Sequence, residues 1–130
     1  MIILTIRTDK PEAEIGLFEG REKLAYREWQ AHRQLAETIN KKIESLLKSH
    51  KKTWVDIEGI VCFKGPGSFT GLRIGMTVMN TLADSLELPI VGTTGEDWRE
   101  VALTRLENGE DDRLVMPEYG GTANITKPRK

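Results

Sequence analysis

The stretch Glu58-Gly59-Ile60-Val61-Cys62-Phe63 is almost purely apolar and shows no polar alternation. A strand with one wet face alternates, whereas a strand without alternation has to be covered on both faces. The chain therefore needs a sheet with a layer on either side. Immediately after this run, residues 64–70 form a glycine-rich loop, and residues 71–86 repeat apolar side chains at helical spacing. Strand, loop and helix in that order make a parallel crossover, the unit of an α/β fold.

Upstream, residues 2–7 are rich in β-branched side chains and residues 13–18 alternate, while residues 23–29 place Leu24, Tyr26 and Glu28 on one face at period two. Turn signals at Thr8-Asp9-Lys10-Pro11 and Glu19-Gly20-Arg21-Glu22 join the three into an antiparallel meander. The period then changes. Ala31, Leu35, Ile39 and Ile43 recur every four residues, and Leu46 and Leu47 close the series, which predicts an amphipathic helix of about five turns. Downstream, Leu88-Pro89 breaks the second helix, Pro89-Ile90-Val91-Gly92 reads as a short strand, and Thr94 with Asp97 resembles a capping box. That box would open a third helix carrying Trp98, Val101, Ala102 and Leu106. Residues 107–112 are an acidic turn, residues 113–116 read as a last edge strand, and an extended tail ends in Lys127, Arg129 and Lys130. Three strands followed by helix, strand, helix, strand and helix match a ribonuclease H-like α/β lobe, a mixed five-stranded sheet with helices packed on it. Residues 1–106 would form that lobe and residues 107–130 the acidic turn and C-terminal tail.

Composition narrows the function classes. A chain of 130 residues, 38% apolar and 30% charged, fits one compact domain, and its net charge of -1 argues against a dedicated nucleic-acid binder. The longest apolar runs fall far short of the ~20 residues that span a bilayer, and no signal-peptide pattern opens the chain, so no membrane contact and a cytoplasmic location are expected. Cys62 is the single cysteine, which excludes an intramolecular disulfide, and with two histidines it does not make a structural zinc site. His32 projects between Leu35 and Ile39 and reads as a packing histidine, while His50 lies in a basic run at a solvated helix end. No metal and no cofactor are expected.

The second helix carries more apolar surface than a sheet alone can cover. At roughly 100° per residue, Leu72, Met76, Met79, Ala83 and Leu86 form one stripe and Ile74, Val78 and Leu82 an adjoining one. Together they span roughly 200°, against the ~100° that a surface helix needs. Either the first helix or another chain has to cover the excess.

The loop reads Gly65-Pro66-Gly67-Ser68-Phe69-Thr70-Gly71-Leu72-Arg73-Ile74-Gly75. Such a loop can present backbone N–H groups to an anion. It is not a Walker A loop, because no lysine follows its final glycine, and its glycines miss both the dinucleotide spacing and the nucleophile-elbow spacing. Phosphate binding and a tight structural turn both stay open, with Phe69 favouring the turn as a packing plug. Arg7 and Lys64 place positive charge at the strand ends where a metal-holding acid would be expected, and Asp9 could act only if the turn brought it back. Nothing pairs Cys62 or Ser68 with a base, so no catalytic residue is expected.

The eleven residues from Gly65 to Gly75 closely resemble the signature of the TsaB (YeaZ) family, and similarity extends through residues 2–8, 32–47, 88–92 and 117–130. The resemblance implies an actin-like (ASKHA) lobe acting as a non-catalytic scaffold or activating subunit in tRNA threonylcarbamoyladenosine synthesis. It implies a heterodimer with a TsaD-like catalytic subunit through the first two helices, a TsaE-like ATPase in the larger assembly, and tRNA contact only through the complex, with a homodimer as a further option. On that resemblance Leu35, Ile39, Ile43, Met76, Met79 and Ala83 are the expected partner-facing positions. Gly65, Pro66, Gly67, Ser68, Phe69, Thr70, Gly71 and Arg73 are the signature loop. Family members usually read Asp-Thr at Arg7-Thr8, a departure that argues against independent nucleotide binding, and they usually carry a second lobe that is missing here. The alternative is a small ATP-binding or ATP-hydrolysing lobe of the same type, using the glycine-rich loop.

Overall fold

The computed structural model describes residues 1–119; Lys127, Arg129 and Lys130, and the side chain of His32, lie outside what is described. Strand β1 (Ile2–Arg7) pairs antiparallel with β2 (Glu12–Glu19), which pairs antiparallel with β3 (Glu22–Gln30). Helix α1 (Leu35–Ser49) leads to β4 (Gly59–Phe63), which lies parallel to β1. Helix α2 (Phe69–Leu86) then leads to β5 (Ile90–Thr93), parallel to β4, and α3 (Trp98–Glu107) follows. The sheet order is β3-β2-β1-β4-β5, with β2 alone running against the others, as a ribonuclease H-like lobe requires.

Strand β4 is buried at every position, the two-sided cover that its unbroken apolar run demanded. Ile60 and Cys62 face a core built with Leu4, Ile6 and the inner sides of α1 and α2. Val61 and Phe63 face a smaller core on the opposite side, with Ile3, Phe18, Trp98 and Leu103. One sheet thus separates a two-helix layer from a one-helix layer.

Three local expectations need correction. Leu24 and Tyr26 do not share a face, because an irregularity at Leu17 and Phe18 shifts the register between β2 and β3. Such a bulge opposes two residues to one and breaks the period-two count. Leu24, Ala25 and Trp29 therefore pack on the α1 side, while Tyr26 turns to the other face under Arg99. Thr94 does not cap α3, since Asp97 is the residue before its first turn and makes no side-chain cap bond. A capping box does form at Thr53 and Asp56, around the short 3-10 turn Trp54–Asp56. The first helix starts at Leu35 rather than Ala31, after a 3-10 turn at His32–Gln34.

Residues 113–116 do not form the expected edge strand. Residues 111–119 run as a strap instead, and carboxylates stand in for part of the ladder. The Ile90 amide donates to Asp111 Oδ1 (3.1 Å), the Gly92 amide donates to Asp112 Oδ2 (2.9 Å), and the Asp112 amide donates to the Ile90 carbonyl (2.8 Å). Asn80 on α2 exchanges two bonds with Val115, donating to its carbonyl and accepting from its amide, both at 2.9 Å. Arg105 of α3 ties the strap down by pairing with Asp112 and donating to the Gly92 carbonyl at 3.2 Å. An edge occupied in this way offers few free groups to a foreign strand.

Because Ile43 is fully buried between α1 and the sheet, Ile43→Ala is expected to lower unfolding free energy by about 2–5 kcal/mol. Asn40→Ala, on the exposed side of the same helix, should change it by less than ~0.5 kcal/mol. Urea midpoints of the two variants check both values.

Candidate functional site

Gly67, Gly71 and Gly75 stand four residues apart and face the turn that leaves β1. The space for a side chain is already taken at each position. A Cβ on Gly67 would collide with the Asp9 side chain and carbonyl, one on Gly71 with the Thr8 carbonyl, and one on Gly75 with the Thr8 hydroxyl. Hydrogen bonds then stitch the approach. The Ser68 amide donates to the Asp9 carbonyl (2.8 Å), and Thr8 Oγ1 donates to the Gly71 carbonyl (2.9 Å). Ser68 Oγ accepts from the Gly71 amide (3.4 Å) as the cap of α2, and the Ser68 carbonyl accepts from the Leu72 amide (2.9 Å). The loop therefore seats the end of β1 on the start of α2, and the N–H groups of Ser68, Gly71 and Leu72 are engaged within the chain.

Gly65 has φ +125°, a backbone region that other residues rarely adopt, and the Glu118 carbonyl sits where its Cβ would be. The Glu118 amide donates to the Lys64 carbonyl at 2.6 Å, so the strap ends against the loop. Phe69 is not a buried plug. It is 55% exposed, with its ring 4.4 Å from that of Tyr119 and 5.2 Å from the Arg73 guanidinium.

The polar groups at the strand ends are paired with one another. Arg7 donates through Nε and Nη2 to the two oxygens of Asp9, at 2.7 and 3.1 Å, and lies 4.0 Å over the Phe63 ring. Burial opposes the Arg7 charge, but the hydrogen bond and attraction of Asp9, with Glu14 and Tyr26, outweigh it and hold its pKa above the ordinary value. Asp9 is thus brought back by the turn, but onto Arg7. Cys62 is fully buried, and burial followed by the nearby Asp112 charge pushes its thiol pKa well up, away from a reactive thiolate. Among the described residues, no three His, Cys, Asp or Glu side chains converge as metal ligands.

The six positions expected to face a partner lie inside the lobe. Leu35, Ile39, Ile43, Met76, Met79 and Ala83 are all 4% exposed or less and belong to the α1/α2 core with Leu4, Ile6 and Ile60. The sheet and the two helices already consume that surface, which leaves these side chains little to offer a partner. The adjoining stripe is the one left over. Ile74, Val78 and Leu82 are half-buried, as is Leu86 at the end of the first stripe, and Thr77, Thr81 and Ser85 beside them are exposed.

This stripe forms one wall of a groove between α1 and α2, made of three clefts that share residues. The first, about 360 Å³, lies among Lys10, Arg33, Ser68, Thr70 and Ile74. The second, about 350 Å³, adds Ala36, Arg73, Thr77 and Val78. The third, about 550 Å³, continues past Asn40 and Leu82 to Trp54 and Leu86. Trp54 was not singled out from the sequence, although the spacing of Thr53 and Asp56 signals the turn that presents it. Asn80 was missed as well; a polar residue inside an apolar helix was its only signal.

The family model described as TsaD, tRNA N6-adenosine threonylcarbamoyltransferase, matches residues 29–95, the span from the end of β3 through β5. The chain is 38% identical over 78 residues to the tRNA threonylcarbamoyladenosine biosynthesis protein TsaB of Bacillus subtilis, covering 59% of this chain and 31% of that one. It is 29% identical over 120 residues to TsaB of Escherichia coli, covering 88% and 52%. Among solved structures, YeaZ from Pseudomonas aeruginosa superposes with a TM-score of 0.67 at 23% identity, over 77% of this chain and 49% of that chain, which speaks to the fold. The chain spans from about a third to about half of the length of these two TsaB proteins.

The glycine seat makes a prediction that separates its contacts. Gly75→Ala and Gly71→Ala should each cost about 1–3 kcal/mol through overpacking. Thr8→Ala should recover part of the first loss, because Gly75 meets the Thr8 side chain, and none of the second, because Gly71 meets the Thr8 backbone. Denaturation of the two double mutants measures the coupling.

Proposed function

Since the chain belongs to the TsaB (YeaZ) family, whose lobe the TsaD family model also describes, we propose that it is a non-catalytic scaffold in tRNA threonylcarbamoyladenosine synthesis. In this reading it docks a TsaD-like catalytic subunit through the groove between α1 and α2, with a TsaE-like ATPase in the larger assembly and tRNA reached only through the complex. The work is done in the cytoplasm, and among the described residues no helix is long and apolar enough to cross a membrane.

The observation that carries the reading is the half-buried stripe of Ile74, Val78, Leu82 and Leu86 on a helix whose other apolar side is already in the core. Apolar side chains left half in water on a rigid helix gain by being covered, at about 25 cal/mol per Å². A non-catalytic role is supported by the commitment of Asp9 to Arg7, by the burial of Cys62, and by Ser68 serving as a helix cap.

The ATP-handling alternative needs the loop to receive phosphates, and the seat on Thr8 and Asp9 speaks against it. Calorimetry with ATP and magnesium on the isolated chain is expected to show no binding; a micromolar dissociation constant would favour the alternative.

Docking is tested with the TsaD-like subunit of the same organism. Val78→Asp should abolish co-purification while the variant stays folded with a modestly lowered urea midpoint, because Val78 is half-buried at the open wall of the groove. Met79→Glu, in contrast, should unfold the lobe, since Met79 is fully buried and an unpaired carboxylate there costs several kcal/mol. Wild-type levels of complex with Val78→Asp would reject the groove as the interface.

A further inference from the structure

The groove between α1 and α2 is electrically lopsided. Lys10, Arg33 and Arg73 line its two clefts around Thr70, and no carboxylate lines any of its three stretches among the described residues. Lys10 lies 3.8 Å from Glu14 and so is partly compensated. Arg33 and Arg73 have no ion-pair partner among the described residues, and the Arg73 guanidinium lies 5.2 Å from the centre of the Phe69 ring. Beyond Arg73 the walls are uncharged, with Thr77, Val78, Thr81, Leu82 and Trp54.

We infer that the occupant of this groove is a protein face with a fixed polarity: carboxylates over Arg33 and Arg73, and apolar side chains over Ile74, Val78 and Leu82. This rests on the docking reading above and adds to it the chemistry and direction of the partner. Two unpaired guanidinium groups at the rim of an apolar groove attract opposite charge, which steers encounter and sets register more than it adds affinity. A partner inserted the other way round would leave its carboxylates over neutral threonines and the arginines without a counter-charge. An RNA strand fits less well, because its phosphates recur along the backbone and call for cations along the whole track. Here the cations stop before the third cleft.

The test uses the full chain and the TsaD-like subunit in titrations at ~50 mM and ~500 mM salt, where the Debye length falls from over 10 Å to under 5 Å. Arg33→Glu with Arg73→Glu should weaken binding at least ~10-fold at low salt, with the gap closing at high salt as screening removes the repulsion. Both positions are exposed, so the urea midpoint should hold. Glu37→Lys, an exposed charge on α1 that lines none of the clefts, is the control and should leave binding unweakened. If Val78→Asp abolishes binding while the double reversal and salt leave it unchanged, the polarity is wrong and the docking surface stands. If the wild-type chain does not bind the subunit, both are wrong. If the double reversal instead removes binding of an isolated tRNA anticodon stem-loop and spares the protein complex, the arginines serve RNA and the inference is overturned.

Discussion

The rest of the structure depends on how closely α2 approaches the end of β1. Three glycines at four-residue spacing let the loop and the first turns of α2 lie directly on Thr8 and Asp9, and any side chain there would force them apart. Close-packed interiors transmit such displacements rather than absorb them. The distance is held by the Thr8 hydroxyl on the Gly71 carbonyl and the Ser68 amide on the Asp9 carbonyl, contacts between segments about sixty residues apart. A helix positioned this tightly presents its outer stripe at a defined height above α1. The geometry of the groove is therefore tied to the signature loop, whose Ser68, Thr70 and Arg73 also line it.

The same arrangement accounts for what the strand ends cannot readily do. In sheets with parallel crossovers, ligands usually enter at the carboxyl ends of the strands. Here Arg7 and Asp9 neutralise each other at the end of β1, Phe63 lies under the guanidinium, and Glu118 closes on Lys64 at the end of β4. A place where related topologies hold phosphate and metal is filled with internal pairing and the strap. The open apolar surface lies instead along the helices, in the groove between α1 and α2.

Strap and clamps protect the open side of the sheet. Asn80, Arg105, Asp111 and Asp112 together hold residues 111–119 along β5. Arg21, in the turn between β2 and β3, reaches Glu100 and Glu107 of α3 and ties the meander to the smaller layer. Exposed ion pairs of this kind are worth little individually. The Asp112 and Arg105 pairing counts for more, because it also satisfies the Gly92 carbonyl and amide at a covered edge.

Much of the fold was legible in the sequence, because period is a local property. The unbroken run at Ile60, Val61 and Cys62 specified a strand covered on both sides, and the excess arc on the second helix announced that something beyond the sheet would meet it. The eleven-residue signature pointed to the family. What the sequence could not decide was which half of that arc faced inward. Met76 and Met79 against Ile74 and Val78 are equally apolar, and only the height and rotation of α2 over β1, β4 and α1 buries the first pair and leaves the second half in water. The loop was ambiguous for the same reason: glycine spacing shows that something comes close, and only the tertiary structure shows that it is Thr8 and Asp9 of the same chain. The edge strand failed because carboxylates of Asp111 and Asp112 can replace backbone acceptors, a substitution that no local period records.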